Sequence, residues 1–174
     1  MKLLITCAVA SIAALFSTAV VTPASAVTQP SALTGERWRF HAQYNGLVMD
    51  AANSGGHGSA VQLWPSNGTA AQVWVQENAR EGGNYLHPSY DWGLCLDFDG
   101  DRGWGVPMKV NRCDGSASQR WHFFIHSAGG YELATHTDRA FVLDVPNSNF
   151  AAGQQLQLWG PNNGVAQQWS IWGA

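Results

Sequence analysis

Charge, cysteine and helical periodicity are all scarce in this chain. Charged residues make up 12% of its 174 positions, nine Lys and Arg against twelve Asp and Glu, for a net charge of −3. A mildly acidic chain of this kind offers no basic stretch to track a phosphate backbone or an anionic membrane surface, so no nucleic-acid partner is expected. No segment keeps a 3.6-residue apolar period long enough for a helix. Cysteine occurs only at positions 7, 95 and 113.

The N-terminus is the one place with a long apolar run. Met1 to Ala26 carries an early Lys2, an apolar stretch through Val21 and the sequence Pro23-Ala24-Ser25-Ala26. That pattern reads as a secretory signal cleaved after Ala26, and the protein as secreted. A retained anchor needs about 20 apolar residues and a stop-transfer flank, which Thr18, Thr22 and Pro23 do not supply, so no membrane insertion is expected. Cys7 leaves with the signal, and an even pair in an oxidising compartment, Cys95 and Cys113, reads as one disulfide. Residues 27–35 are small and polar, a flexible lead-in. Residues 36–174 are one domain's worth of chain, which buries roughly 68–70% of its unfolded surface and needs no metal to fold.

Within that domain a tripeptide returns three times: Gln72-Val73-Trp74, Gln119-Arg120-Trp121 and Gln167-Gln168-Trp169, at spacings of 47 and 48 residues. Repetition at this period means copies of one supersecondary unit, here about residues 36–76, 77–123 and 124–174. Each copy begins with an aromatic, Trp38, Tyr85 or Tyr131, lying 12, 12 and 13 residues before an Asp. That Asp closes a short apolar run: Leu47-Val48-Met49-Asp50, Leu94-Cys95-Leu96-Asp97 and Phe141-Val142-Leu143-Asp144. A glycine-rich loop follows, then Val61-Gln62-Leu63-Trp64, Met108-Lys109-Val110-Asn111 or Leu156-Gln157-Leu158-Trp159, with the Gln-x-Trp opening a fourth strand. Four short strands in each of three copies predict an all-β domain with pseudo-threefold symmetry. Three units without capping repeats must pack on each other, so the arrangement is a closed β-trefoil rather than an open solenoid.

Three Gln-x-Trp copies, each preceded by an apolar-Asp run and, in two of them, a Gln-Leu-Trp strand, resemble the ricin B-chain type lectins, a family that also includes carbohydrate-binding modules of bacterial xylanases. The resemblance spans about Glu36 to Ala174 and implies the β-trefoil fold and carbohydrate binding. The acidic residues recur one per copy, which suits equivalent binding sites better than a catalytic pair, so neither catalysis nor a cofactor is expected. The resemblance places Trp74, Trp121 and Trp169 in the shared core. It implies sugar contacts from Asp50, Gln62, Trp64 and Gln72 in the first copy and from Asp144, Gln157, Trp159 and Gln167 in the third. A pyranose presents a C–H face that lies against an aromatic ring, and hydroxyls that need convergent acceptors and donors. An ionised Asp accepts such hydroxyls in charge-assisted bonds. The plainer role for Asp50 and Asp144 is to cap loops. In the middle copy Asp97 and Gln119 remain, but Lys109 and Asn111 stand where Gln and Trp belong, so Asp97, Asn111 and Gln119 form a weaker set. Trp104 either substitutes for the missing ring or fills a surface hollow. The resemblance also implies an intra-repeat Cys95–Cys113 bridge.

Another departure touches every copy. The residue before the repeat Gln, commonly a sugar-contacting Asn in the family, is Ala71, Ser118 or Ala166. Asn67, Asn162 and Asn163 in the adjoining turns are candidates to restore an amide, with His57, Asn147 and Asn149 behind them. Asp97-Phe98-Asp99-Gly100-Asp101 has the carboxylate density of a calcium loop, yet Arg102 and Met108 occupy the positions where an EF-hand needs Gly and Glu, so no metal is expected. The function expected is that of a secreted carbohydrate-binding module for galactose-, xylose- or mannose-type glycans. The alternative is a protein-interaction trefoil with a secreted protein partner, either a protease inhibitor or the receptor-binding subunit of a toxin or enzyme complex.

Overall fold

The computed structural model describes residues 35–98 and 100–174. The secretory signal and nearly all of the lead-in expected at the N-terminus lie outside the described residues, as does Asp99 of the acidic loop. Twelve strands form the domain: β1 (Arg37–Ala42), β2 (Val48–Ala51), β3 (Ser59–Trp64), β4 (Trp74–Asn78), β5 (Asn84–Pro88), β6 (Leu94–Phe98), β7 (Met108–Arg112), β8 (Trp121–Ile125), β9 (Tyr131–Thr135), β10 (Val142–Asp144), β11 (Gln157–Trp159) and β12 (Trp169–Gly173). Helix among the described residues is limited to single 3-10 turns.

Six strands close a ring in the order β1-β4-β5-β8-β9-β12, each neighbour antiparallel and β12 returning to β1. Closure leaves this ring without a free edge. The other six pair as hairpins, β2-β3, β6-β7 and β10-β11. The hairpins touch one another through β3 with β7 and through the bridges Gln62–Gln155 and Pro107–Gln157. This is a β-trefoil.

The reason for three copies is visible in the core. Trp74, Trp121 and Trp169 are fully buried, and around them lie Met49, Leu96 and Leu143, then Val61, Met108 and Leu156, each trio one residue per copy. No copy alone could cover these side chains. Each indole Nε1 also donates to the carbonyl of the residue just before the repeat Asp: Met49 at 3.1 Å, Leu96 at 3.1 Å and Leu143 at 3.4 Å. The core tryptophan thus fixes the backbone that carries the carboxylate.

Two details differ from the sequence expectation. The fourth strand starts at the Trp, while the Gln ends a 3-10 turn: Ala70–Gln72, Ala117–Gln119 or Val165–Gln167. And Tyr85 is not the counterpart of Trp38 and Tyr131. Facing the Gln-x-Trp tryptophan within each copy are Trp38, Asn84 and Tyr131. The cause is a connection one residue shorter in the first copy. Ala42, Pro88 and Thr135, each opposite the repeat Trp of the preceding copy in the ring, lie 8, 9 and 9 residues before the Asp. Leu86 then joins Phe40 and Leu133 in the core, all fully buried. Asn84 is accommodated by Gln76, whose Oε1 accepts from Trp38 Nε1 at 3.0 Å and whose Nε2 donates to Asn84 Oδ1 at 2.9 Å. A buried amide with partners on both sides carries no desolvation penalty left unpaid by hydrogen bonds.

Cys95 and Cys113 are joined, with Cα atoms 5.1 Å apart, tying β6 to the residue that follows β7. Buried His87 covers the bridge, its Nδ1 3.7 and 3.5 Å from the two sulfurs, and Trp92 stacks on His87 at 4.5 Å. Although His87, Cys95 and Cys113 sit close enough together to suggest a metal site, the sulfurs are spent on each other.

Two stability outcomes are expected. Trp121→Ala costs about 3–5 kcal/mol in urea unfolding, the range for truncating a large buried aromatic. Replacing both Cys95 and Cys113 by Ala costs about 3 kcal/mol, the loop-closure value for a bridge of this span, and the wild-type protein loses a similar amount on reduction.

Candidate functional site

Each copy carries, at or next to the last residue of its second strand, an Asp whose carboxylate is gripped by amides from elsewhere in that copy. Asp50 Oδ1 accepts from Gln62 Nε2 at 3.2 Å and its Oδ2 from Gln72 Nε2 at 3.0 Å. Asp144 repeats the pattern with Gln157 at 2.8 Å and Gln167 at 3.1 Å. Gln62 and Gln157 reach the carboxylate because the β2-β3 and β10-β11 hairpins place them directly across from it. Gln72 and Gln167 reach it because a 3-10 turn folds them back over the hairpin end.

The same grip shows what the repeat glutamines do. Gln72 and Gln167 are fully buried. Besides the carboxylate, Gln72 Nε2 donates to the Pro65 carbonyl at 2.9 Å, and its Oε1 accepts from Asn67 N at 2.9 Å. Gln167 does likewise with the Gly160 carbonyl and Asn162 N. Their amide hydrogens are spent inside the protein. The expectation that Gln72, Gln119 and Gln167 contact a ligand is therefore corrected: they position the Asp.

Two open clefts lie above these carboxylates. One, of about 390 Å³, is lined by Asp50, Asn53, Ser54, Gln62, Trp64, Asn67, Thr69 and Ala71. The other, of about 220 Å³, carries Asp144, Asn147, Ser148, Gln157, Trp159, Asn162 and Ala166 among its walls. Both Asp side chains are only 4% exposed at the cleft floor, whereas Trp64 is 40% exposed on the rim. A ring beside a recessed carboxylate is what a sugar face with hydroxyls at its edge requires.

Two of the turn amides expected to stand in for the missing family Asn line the clefts. Asn67 and Asn162 use their side-chain oxygens to hold the local turn, accepting from Thr69 N at 3.0 Å and Gly164 N at 2.7 Å. Their Nδ2 groups bond to nothing among the described residues, and both residues line a cleft. Asn163 does not line either one. Asn149 is engaged with Gln154 at 2.7 Å, and His57 lies beside the middle copy, accepting from Arg112 N at 3.3 Å. Sequence reasoning overlooked Asn53-Ser54 and, beside Asn147, Ser148. These sit in left-handed backbone, Asn53 at φ 58° and Asn147 at φ 51°, a conformation Asn tolerates at low cost. The signal was present: Asn-Ser recurs three residues after Asp50 and Asp144 and gives way to Gly100-Asp101 in the middle copy.

The middle copy is built differently. Asn111 is buried and donates through Nδ2 to Asp97 Oδ2 at 3.1 Å, beside Gln119 at 2.9 Å. Its Oδ1 accepts from Gly58 N at 3.2 Å, and Asp97 Oδ1 accepts from Phe98 N at 2.7 Å. Asn111 thus takes over the bracing role that Gln62 and Gln157 play elsewhere, and Asp97 bonds its own strand. The weaker set of Asp97, Asn111 and Gln119 is a closed hydrogen-bond cluster. Trp104 does not substitute there. Its ring lies against Trp159 of the third copy, centroids 5.4 Å apart and planes 35° apart.

Electrostatics sharpen the third site. Burial pushes the pKa of Asp144 above that of an ordinary aspartate, and the amides of Gln157 and Gln167 oppose the rise by bonding the charged form. Behind the first cleft Tyr90 donates to the Gly55 carbonyl at 2.6 Å, and burial, with Asp91 and Asp50 nearby, raises its pKa to about 12. It stays a neutral donor that braces the Asn53-Ser54 loop.

Known structures share this architecture. A designed threefold-symmetric protein, ThreeFoil, superposes with a TM-score of 0.72 at 22% identity, over 78% of this chain and 96% of its own. The ricin B-like lectin of Macrolepiota procera, in complex with lactose, gives 0.70 at 20% identity over 83% and 98%. The Rhizoctonia solani agglutinin gives 0.74 at 18% over 83% and 99%. No curated protein sequence matches the chain significantly. The model of the ricin-type β-trefoil lectin domain matches residues 36–169, and the chain belongs to that family.

Proposed function

We propose that this protein is a secreted carbohydrate-binding module that holds glycans in the first and third clefts. The observation that carries the reading is the twofold recurrence of one constellation: a recessed, amide-braced carboxylate, a rim tryptophan and an unpartnered Asn amide facing the same cleft. In it Asp50 and Asp144 accept hydroxyls, Trp64 and Trp159 take the C–H face of a pyranose, and Asn67 and Asn162 donate to a ring or hydroxyl oxygen. Binding rather than hydrolysis is favoured because each cleft is lined by a single carboxylate, whereas glycoside cleavage uses a pair of them about 5–9.5 Å apart. Two clefts on one rigid body gain avidity on a polymeric glycan without new contacts.

Galactose-type ligands are the first to test. The Macrolepiota procera lectin was solved with lactose and the earthworm R-type lectin C-half with GalNAc. A comparable domain also lies within a longer exo-β-1,3-galactanase from Clostridium thermocellum, of which this chain covers 30%.

A glycan array, followed by retention on the immobilised hit, tests the reading. The double variant Trp64→Ala, Trp159→Ala isolates binding from folding, because neither ring belongs to the buried core. It is expected to melt near wild type and to lose retention, with each single change weakening binding roughly tenfold or less at its own cleft. Retention unchanged in the double variant, or an array with no hit alongside capture of a secreted protein, sinks the proposal. Acid dependence follows from Asp144. With the first cleft silenced by Trp64→Ala, binding is expected to fade as pH falls through the raised pKa of Asp144, since protonation removes the charged acceptor. The midpoint, read by titration calorimetry across pH, should lie above the value of a free aspartate.

A further inference from the structure

The three loops that follow the repeat Asp are not confined to their own copies. Gly58, Gly105 and Gly153 each donate a backbone N–H to the third strand of the next copy, at the carbonyls of Val110, Leu158 and Leu63, all at 2.8 Å. All three have positive φ, 88°, 80° and 84°, which an L side chain adopts only with strain. The geometry is a handover, from the first copy to the second, the second to the third and the third back to the first. The residue before each glycine is therefore delivered to the neighbouring copy's third-strand end. These residues are His57, Trp104 and Ala152.

Their identities make the two open clefts unequal. At the first cleft the incoming residue is Ala152, and a side chain added at Gly153 would meet the Trp64 ring at 3.7 Å, so that ring stands alone. At the third, Trp104 brings a second indole to within 5.4 Å of Trp159, centroid to centroid. It packs over Gly160, where a Cβ would lie 3.3 Å from Trp104 Nε1, so a larger residue there would push the ring away. Trp104 nevertheless remains 72% exposed. A single exposed aromatic needs no explanation, but Trp104 and Trp159 together make a contiguous aromatic pair beside a cleft. Trp104 is absent from the walls of the third cleft itself, so it lies beyond the unit that Asp144 would hold.

Resting on the reading of the third cleft as a sugar site, we propose that Trp104 and Trp159 form a two-ring ledge which binds consecutive units of an extended glycan chain. The first cleft, with Trp64 alone, engages one unit. One pyranose lies on Trp159 with its hydroxyls at Asp144, and the next along the chain lies on Trp104. The third cleft is thus chain-selective and the first is not.

The test uses the full protein and three matched pairs: galactose with β-1,3-galactotriose, xylose with xylotriose, and mannose with β-1,4-mannotriose. In a Trp64→Ala background, calorimetry gives the ratio of trisaccharide to monosaccharide affinity at the third cleft. For the recognised series this ratio is expected to be roughly three- to tenfold above statistical, the contribution of one aromatic contact, and Trp104→Ala to bring it down to the statistical value. The reciprocal variant Ala152→Trp, with the third cleft silenced by Asp144→Asn, is expected to confer the same ratio on the first cleft. An unchanged ratio in Trp104→Ala, or no trisaccharide advantage in any series, overturns the ledge. If Asp144→Asn in the Trp64→Ala background leaves affinity for both members of a pair intact, the failure lies instead in the cleft, and the proposal falls with it.

Discussion

Everything about the candidate sites depends on how the Gln-x-Trp tripeptide grips the apolar-Asp dipeptide near the end of the second strand. The Trp holds the carbonyl of the residue before the Asp, and the Gln holds the Asp carboxylate and the turn behind it. Burying a carboxylate is costly unless its oxygens are satisfied. Here the partners are neutral amides, and among the described residues neither Asp50 nor Asp144 pairs with a cation. The charge is thereby fixed in place without being cancelled. The raised pKa of Asp144 is the cost of that arrangement, and an acceptor of undiminished strength is its result.

The threefold core and the unequal clefts follow from separating the residues that hold the scaffold from those that face solvent. Core positions are interchangeable only among apolar side chains of similar volume, so Met49, Leu96 and Leu143 can occupy equivalent places. Cleft positions have no such constraint. Two changes, Lys109 and Asn111 where the other copies have Gln and Trp, accompany the closed middle cluster, in which the Asn111 amide bonds Asp97.

Much of the architecture was legible in the sequence because it repeats. Three Gln-x-Trp copies at near-constant spacing, the apolar-Asp runs and the turn residues between them identify the twelve strands and the two intact clefts, and the Cys95–Cys113 bridge joins the residues the pair suggested. What was not legible lay in backbone geometry and in contacts between copies. Counting back from the Asp set Tyr85 beside Trp38, since a connection shortened by one residue is invisible until the barrel register is known. Buried glutamines and surface glutamines look alike in a sequence, so the bracing role of Gln72 and Gln167 was hidden. Trp104 belongs by position to the middle copy, and nothing in the order of residues says that its ring rests on the third.

The crossing loops have one more consequence. Because Gly58, Gly105 and Gly153 carry each loop onto the following copy, what stands beside a cleft belongs to a boundary, although the walls of each cleft come from one unit. The middle copy illustrates it: its own cluster is closed by Asn111, yet its loop still furnishes a hydrogen bond and an indole to the next. In such a ring, losing a pocket does not release a copy to drift, and a substitution that retunes one pocket is to be sought a third of the way around the molecule, in a segment whose own neighbourhood gives no hint of why it matters.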